Sequence, residues 1–256
     1  MGRVGWIAAA LAAVVLAGGG VVAWVVLSRS GSEPADVADA VAAFREATAG
    51  RAPLETPVPE GVYVYETAGR EKTDALTGFT NRYPALSAIT VTHAPCGARM
   101  RWDVLEGRST TWDFCVTSTG WTLEKQDERH TFFGRTERTT YRCAGSPFRP
   151  AGDRPGVSLE TRCTTGSTEE RGSVRIVGLE TLPVGAEEVE TVHVRRTSSF
   201  TGETRGETTH DVWLHRETGV PVRIVMVSRT TNDSPIGDVH YEEDASLRLT
   251  SLVPRR

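Results

Sequence analysis

From Gly61 onward, apolar and polar residues alternate along the chain with a period of two. Met100, Trp102 and Val104, for example, are separated by Arg101 and Asp103. This alternation is typical of antiparallel strands that turn one face to a core and the other to solvent. Glycine-containing turns separate the strand-like stretches, so the pattern predicts a mainly β fold of about ten strands.

The clearest pair of strands runs from Thr208 to Ser228. Thr218-Gly219 supplies a tight turn between them, and Pro221 stiffens the exit from that turn. By contrast, residues 144–156 are rich in proline and glycine, and they are predicted to form a loop.

The same hairpin carries a family resemblance. Its residues Trp213-Leu214, Thr218-Gly219 and Pro221-Val222-Arg223 resemble the W-L-x-x-x-T-G-x-P-x-R hairpin of bacterial lipoprotein-carrier-like proteins, the LolA, LppX and RseB group. The resemblance implies a large, curved, half-barrel-like antiparallel sheet with one N-terminal helix, here over residues 61–256. Several members of that group hold lipid or acyl chains against the concave face, so a lipid or other apolar ligand is the implied partner.

A helix is predicted just before the first strand, within a linker segment over residues 28–60. Pro34 suits a first helical position, and Val37, Val41 and Phe44 recur at spacings of four and three residues. In the family this chain resembles, the helix packs into the concavity of the sheet. A membrane-proximal stalk is the alternative.

Residues 6–27 form a stretch without charged side chains, which as a helix would span roughly 33 Å. This stretch predicts a retained transmembrane signal-anchor that contacts the lipid bilayer, with residues 1–5 in the cytoplasm. The alternative is a signal peptide cleaved near residues 21–23. No cysteine precedes Cys96, so the chain lacks the lipobox that many members of the resembled family use for lipid anchoring.

Four cysteines lie in the predicted β region: Cys96, Cys115, Cys143 and Cys163. No C-x-x-C or His-rich spacing accompanies them, so two disulfides and an oxidising, extracytoplasmic compartment are favoured over a zinc site. Four free thiols in a cytoplasmic domain are the alternative. Of the three possible pairings, Cys96–Cys115 and Cys143–Cys163 is preferred, because each bridge would join neighbouring strands about twenty residues apart.

Charge and motifs exclude several function classes. The net charge is −4 and the isoelectric point is near 5.9, which argues against a nucleic-acid partner. The chain has no phosphate-loop, dinucleotide, zincin or nucleophile-elbow motif, so no cofactor and no catalytic residue are predicted.

Aromatic residues are the candidate ligand-binding groups. If the sheet is curved, Trp102, Trp112, Phe114 and Trp121 would line a hydrophobic concavity that accepts acyl chains. The alternative is that this row forms an ordinary core.

Two possible metal sites and one acidic pair are weaker hypotheses. His210, Asp211 and His215 lie on one strand, but positions 210 and 215 would point to opposite faces. Residues 232–243 have the glycine and the glutamate of a calcium loop but not its first acid. A run of acidic residues fits a charged turn better than a catalytic pair: Glu187, Glu188 and Glu190.

Together these features predict a single-pass protein of a bacterial cell envelope whose exported β domain binds a lipid or other apolar ligand without catalysis. A scaffold domain with a filled core and an envelope protein partner is the alternative. A hydrolase is the third interpretation, which convergent polar groups with shifted pKa values in a cleft would support.

Overall fold

A computed structural model describes residues 32–51, 58–75, 78–132, 135–234 and 237–256. The transmembrane span predicted over residues 6–27 lies outside these ranges, and within them no helix is both long and apolar enough to cross a membrane. The described elements are one helix, α1 Val37–Thr48, and the strands β1 Gly61–Thr73, β2 Phe79–Arg82, β3 Leu86–Ala94, β4 Gly97–Leu105, β5 Arg108–Thr117, β6 Gly120–Phe132, β7 Arg135–Pro150, β8 Ser158–Thr164, β9 Thr168–Val184, β10 Glu187–Gly202, β11 Thr204–His215, β12 Pro221–Asn232 and β13 Val239–Leu249.

The sheet closes into a barrel. From β3 to β13 each strand pairs antiparallel with the next, and β13 pairs in turn with β1 from Tyr65↔Leu249 to Thr73↔Tyr241. Together with the β1–β3 pairing, this gives a ring of twelve strands. The predicted half-barrel is therefore wrong: the two outer strands of an open sheet would leave their backbone groups unpaired, and here they satisfy each other.

The predicted hairpin is present as β11 and β12, with Gly219 in the turn at φ 68°. The predicted loop over residues 144–156 is largely wrong, because β7 continues to Pro150 and Ala144 takes a φ of 46° within it. Residues 232–243, the hypothetical calcium loop, include the end of β12 at Asn232 and the start of β13 at Val239, so they belong to a β-hairpin.

One half of the barrel interior is an apolar core. Strand alternation places a row of aliphatic side chains from β10 to β13 on the inner face: Val194, Val212, Ile224 and Leu247. The next inward-facing row, two residues further along the strands, begins with Arg196 and His210. The interior therefore changes from apolar to polar between these two neighbouring rows.

Helix α1 lies on the outer face of the sheet. Its buried residues Val41 and Phe44 pack with Val62 and Ala88, whereas Tyr63 and Ile89, the alternate residues of the same strands, belong to the barrel core. The expectation that α1 enters the concavity is therefore wrong, since the inner faces of β1 and β3 pack against the barrel's own side chains.

The wall has a weakly paired seam between β7 and β8. Arg142↔Thr164 is the one residue pair in register there among the described residues. The disulfide Cys143–Cys163 lies beside that pair, and the amide of Arg162 donates to Ser146 Oγ at 3.1 Å. The seam is thus joined chiefly by side chains.

Candidate ligand site in the barrel interior

The polar half of the interior contains a cavity of about 180 Å³. Inward-facing residues of β5 to β7 and of β9 to β13 line it, and it extends towards the β10–β11 and β12–β13 hairpins, where Thr204 and Asn232 lie. Charged and aromatic groups both line the cavity: Arg108, Trp112, Glu128, Glu170, Arg196 and Glu243.

Arg108 is the central cation on one side of the cavity. Its Nη2 atom lies 3.1 Å from Glu243 Oε2, its Nη1 donates to Thr110 Oγ1 at 2.6 Å, and its Nε lies 3.7 Å from Glu71 Oε2. All three charged side chains are buried, and burial raises the pKa of Glu71 although Arg108 opposes that rise. Burial also raises the pKa of Tyr83, whose hydroxyl donates to Glu243 Oε1.

Arg196 is the second buried cation. It pairs with Glu170 at 2.7 Å, and its Nη2 donates to Cys163 Sγ at 3.5 Å, which places the seam disulfide next to the cavity wall. Burial, and then the charge of Arg196, lower the pKa of His210 to about 4. His210 is therefore a neutral imidazole at physiological pH.

A chain of hydrogen bonds leads from Trp112 to Glu128. The indole N–H of Trp112 donates to Gln126 Oε1 at 3.1 Å, and Gln126 Nε2 donates to Glu128 Oε1 at 2.7 Å. Burial raises the pKa of Glu128, with Arg108 acting in the opposite direction. His130 Nε2 lies 3.9 Å from Glu128 Oε2, but burial and then Arg108 lower the pKa of His130 well below its usual value, so this imidazole is neutral.

The four aromatic residues predicted from the sequence all face the interior, but they divide between core and cavity. Trp102 is buried against Tyr83 and donates its indole N–H to Ser87 Oγ at 3.0 Å. Phe114 and Trp121 pack together in the apolar core with ring centroids 6.0 Å apart. Trp112 lies at the cavity wall.

The hypothetical metal residues do not converge. His210 lies inside the barrel, Asp211 on the outside accepts from Arg195 at 2.7 Å, and His215 bonds Thr218 Oγ1 in the β11–β12 turn. Within the described part of the chain, no group of three or more His, Cys, Asp or Glu side chains is arranged to hold a metal ion.

The acidic run forms a charged turn, as the sequence favours. Glu187 and Glu188 are exposed at the β9–β10 hairpin, and Glu190 pairs with Arg216 at 3.0 Å.

Strand alternation in the sequence does not predict that the charged residues of β6 face the cavity. A β-bulge between Leu123 and Lys125 shifts the register of β6, so that Gln126, Glu128 and His130 face inward instead of the odd-numbered residues that strict alternation from Leu123 would choose. No sequence signal marks that bulge. Arg108, by contrast, is separated from Trp112 and Phe114 on β5 by an even number of residues. Strand alternation therefore predicts that Arg108 faces inward with them.

No protein-family model matches the chain, and no curated protein matches it. Among solved structures, the chain has a likeness to the hypothetical lipoprotein YmcC from Escherichia coli K12, with a TM-score of 0.27 and 12% identity over 80% of this chain and 95% of that chain. A TM-score this low carries no argument, so the family resemblance of the β11–β12 hairpin stays a prediction.

Proposed function

We propose that the β domain is a non-catalytic binding domain that holds one small polar molecule inside the barrel. The cavity of about 180 Å³ inside the barrel is the observation that carries this proposal. Its walls combine two buried arginines, several carboxyl groups and aromatic rings, so convergent polar groups could orient a bound molecule. An export signal or anchor in residues 6–27 and an envelope location complete the proposal.

The two buried arginines are held in place by ion pairs, which supports a ligand site. Arg108 and Arg196 are each held by a carboxylate at 3.1 and 2.7 Å, so both guanidinium groups are fixed before any ligand arrives. A site whose polar groups are already oriented loses little entropy on binding. The lipid or apolar ligand predicted from the family resemblance, and an envelope protein partner, stay predictions beside this proposal.

A screen for ligand-induced stabilisation of the full-length protein tests the proposal. Amines, carboxylates, amino acids and sugars would be added singly, and a compound present at about 100 times its dissociation constant should stabilise the fold by about 2.7 kcal/mol. Ser228→Leu places a larger side chain in the cavity wall and should abolish the effect. Ser199→Leu makes the same change at an exposed position of β10 and should retain it. Equal stabilisation of the two variants by the same compound would overturn the proposal. A screen in which no compound stabilises the parent protein would overturn it as well.

A hydrolase is the second candidate, and one observation favours it. The cavity contains Glu128, whose pKa burial raises, together with Glu170, which is ion-paired with Arg196. Glycoside hydrolysis uses two carboxyl groups, of which the general acid has a raised pKa. Hydrolysis of chromogenic glycosides by the full-length protein, lost in Glu128→Gln and retained in Asp127→Asn, would establish this function. Absence of turnover with the whole substrate set would exclude it for those substrates.

A further inference from the structure

Glu128 is a carboxyl group of the cavity lining that forms no direct ion pair with either buried arginine. Arg108 is engaged by Glu243 and lies near Glu71, and Arg196 is engaged by Glu170. For Glu128, the residues that the structure describes place no lysine or arginine within ion-pair distance, and its nearest basic group is the neutral imidazole of His130 at 3.9 Å. A carboxyl group held in this way favours a positively charged guest.

The indole of Trp112 lies at the wall of the same cavity and is tied to that carboxyl group. Its N–H donates to Gln126, and Gln126 donates to Glu128, so the two groups are held in a fixed relation. A tryptophan face attracts organic cations, and the attraction strengthens where water is excluded. An aromatic face together with a carboxylate is the combination that recognises ammonium groups.

Two buried N–H donors of the cavity-lining arginines form no hydrogen bond within the described residues, although one of them, Arg108 Nε, lies 3.7 Å from Glu71 Oε2. Arg108 Nε and Arg196 Nε make no hydrogen bond to any described residue, although their side chains are only 6% and 8% exposed. Buried N–H donors in proteins normally form hydrogen bonds. An oxygen atom of a bound molecule could accept hydrogen bonds from these two N–H groups.

On the basis of the function proposed above, we propose that the barrel binds a small organic ammonium compound that also carries an oxygen acceptor. The cationic end lies between Glu128 and Trp112, and the oxygen accepts from the buried arginines. Quaternary or primary amino alcohols, and betaines, belong to this chemical class.

Calorimetric titration of the full-length protein with two isosteric probes tests the charge requirement. Choline and 3,3-dimethyl-1-butanol have the same shape and the same hydroxyl group, and differ in that the first has a positively charged nitrogen where the second has a carbon atom. Choline should bind at least about tenfold more tightly, as the combined ion-pair and cation–π contributions imply. Equal affinity of the two probes would overturn this inference and leave the cavity as a binding site. Binding of neither probe, with no stabilisation by any compound of the screen above, would overturn the proposed function as well.

Glu128→Gln is the decisive variant, because it keeps the shape and removes the charge. It should lose the preference for choline but still bind the neutral alcohol. Asp127→Asn is the matched control on the outer face of the same strand, where Asp127 pairs with Lys125 at 2.5 Å, and it should keep the preference. A choline preference that survives in Glu128→Gln would overturn the assignment.

The stability of Glu128→Gln separates a lost site from a lost fold. Because burial raises the pKa of Glu128, ionising this group destabilises the folded state, and the variant should unfold at a higher temperature than the parent protein at pH 7. That gain should vanish near pH 4, where the carboxyl group is protonated in both states.

Trp112 supplies an independent variant pair: Trp112→Phe keeps an aromatic face and part of the affinity for choline, whereas Trp112→Leu should lose the preference. Equal affinities of these two variants for choline would contradict the role of the ring.

Discussion

Arg108 and Glu243 are 135 residues apart in the chain and lie 3.1 Å apart inside the barrel. Their strands, β5 and β13, are separated in the sheet by β1, β3 and β4, so the ion pair crosses the interior and does not bridge neighbouring strands. Barrel closure is what brings the two groups together.

Arg108→Met should destabilise the protein strongly, because it leaves Glu243 and Glu71 buried without their cation. The expected loss in the free energy of unfolding is about 3–5 kcal/mol, measured by urea denaturation. Arg99→Met removes an exposed arginine that pairs with Asp113 at 2.6 Å, and it should cost no more than about 1 kcal/mol. Similar losses in the two variants would contradict the interior pair. Adding Glu243→Gln to Arg108→Met should recover part of the loss.

The neutral state of His210 should make the fold sensitive to acid. Its pKa is about 4 in the folded protein and near 6.5 in an unfolded chain, so between these values the unfolded state binds a proton that the folded state does not. Stability should therefore fall as the pH is lowered from about 6.5 to 4, by about 3 kcal/mol from this group. His210→Gln should flatten the pH profile of urea denaturation in that window, and His130 should leave a residual slope. An unchanged slope in His210→Gln would contradict the assignment.

The two disulfides close loops of nearly equal length but join different parts of the wall. Cys96–Cys115 and Cys143–Cys163 have sequence separations of 19 and 20, so loop closure predicts a similar contribution of about 3 kcal/mol for each. Cys96–Cys115 lies at one end of the β4–β5 ladder, which has eight residue pairs in register, whereas Cys143–Cys163 joins the weakly paired seam.

Replacing both members of each disulfide by serine tests this difference. Cys143→Ser with Cys163→Ser should speed amide hydrogen exchange in β8, because that strand would become an edge of the sheet. Cys96→Ser with Cys115→Ser should leave exchange in β8 unchanged. Unchanged exchange in β8 after removal of the seam disulfide would contradict the account of the seam.

Gly219 is required both by its backbone angle and by its neighbour. Its φ is 68°, and a Cβ atom at this position would lie 2.2 Å from Cζ2 of Trp121. Gly219→Ala should therefore lower the free energy of unfolding by about 2–4 kcal/mol. Gly50 has a φ of 72°, and a Cβ atom there would have no neighbouring atom within 4 Å, so Gly50→Ala should show the backbone cost alone, about 1 kcal/mol. Equal losses by chemical denaturation would show that Trp121 does not pack against the turn.

Local pattern was enough to predict some of the fold. Alternation indicated the strand-rich character, the turn residues Thr218 and Gly219 indicated the β11–β12 hairpin, and cysteine spacing favoured the pairing that the structure contains. Each of these features depends on residues that are near one another in the sequence.

Closure and the cavity depend on contacts that no local pattern encodes. The β1–β13 ladder, from Tyr65↔Leu249 to Thr73↔Tyr241, joins the two ends of the β domain and makes the sheet a barrel instead of a half-barrel. Trp112 was found as an aromatic candidate, but the β6 bulge that turns Glu128 towards it was not. The sequence therefore predicts an apolar concavity, whereas charged and polar groups line most of the cavity in the structure.

Fluorine NMR of the full-length protein labelled with 5-fluorotryptophan tests the central claim most directly. Trp112 lines the cavity, whereas Trp213 lies on the outer face, stacked on His193 with ring centroids 4.1 Å apart. Both signals would be assigned from Trp→Phe variants, and choline would then be titrated. If choline binds inside the barrel, the Trp112 signal should shift saturably and the Trp213 signal should stay unchanged. A Trp112 signal that does not move while choline binds, or shifts of equal size at both positions, would contradict binding inside the barrel.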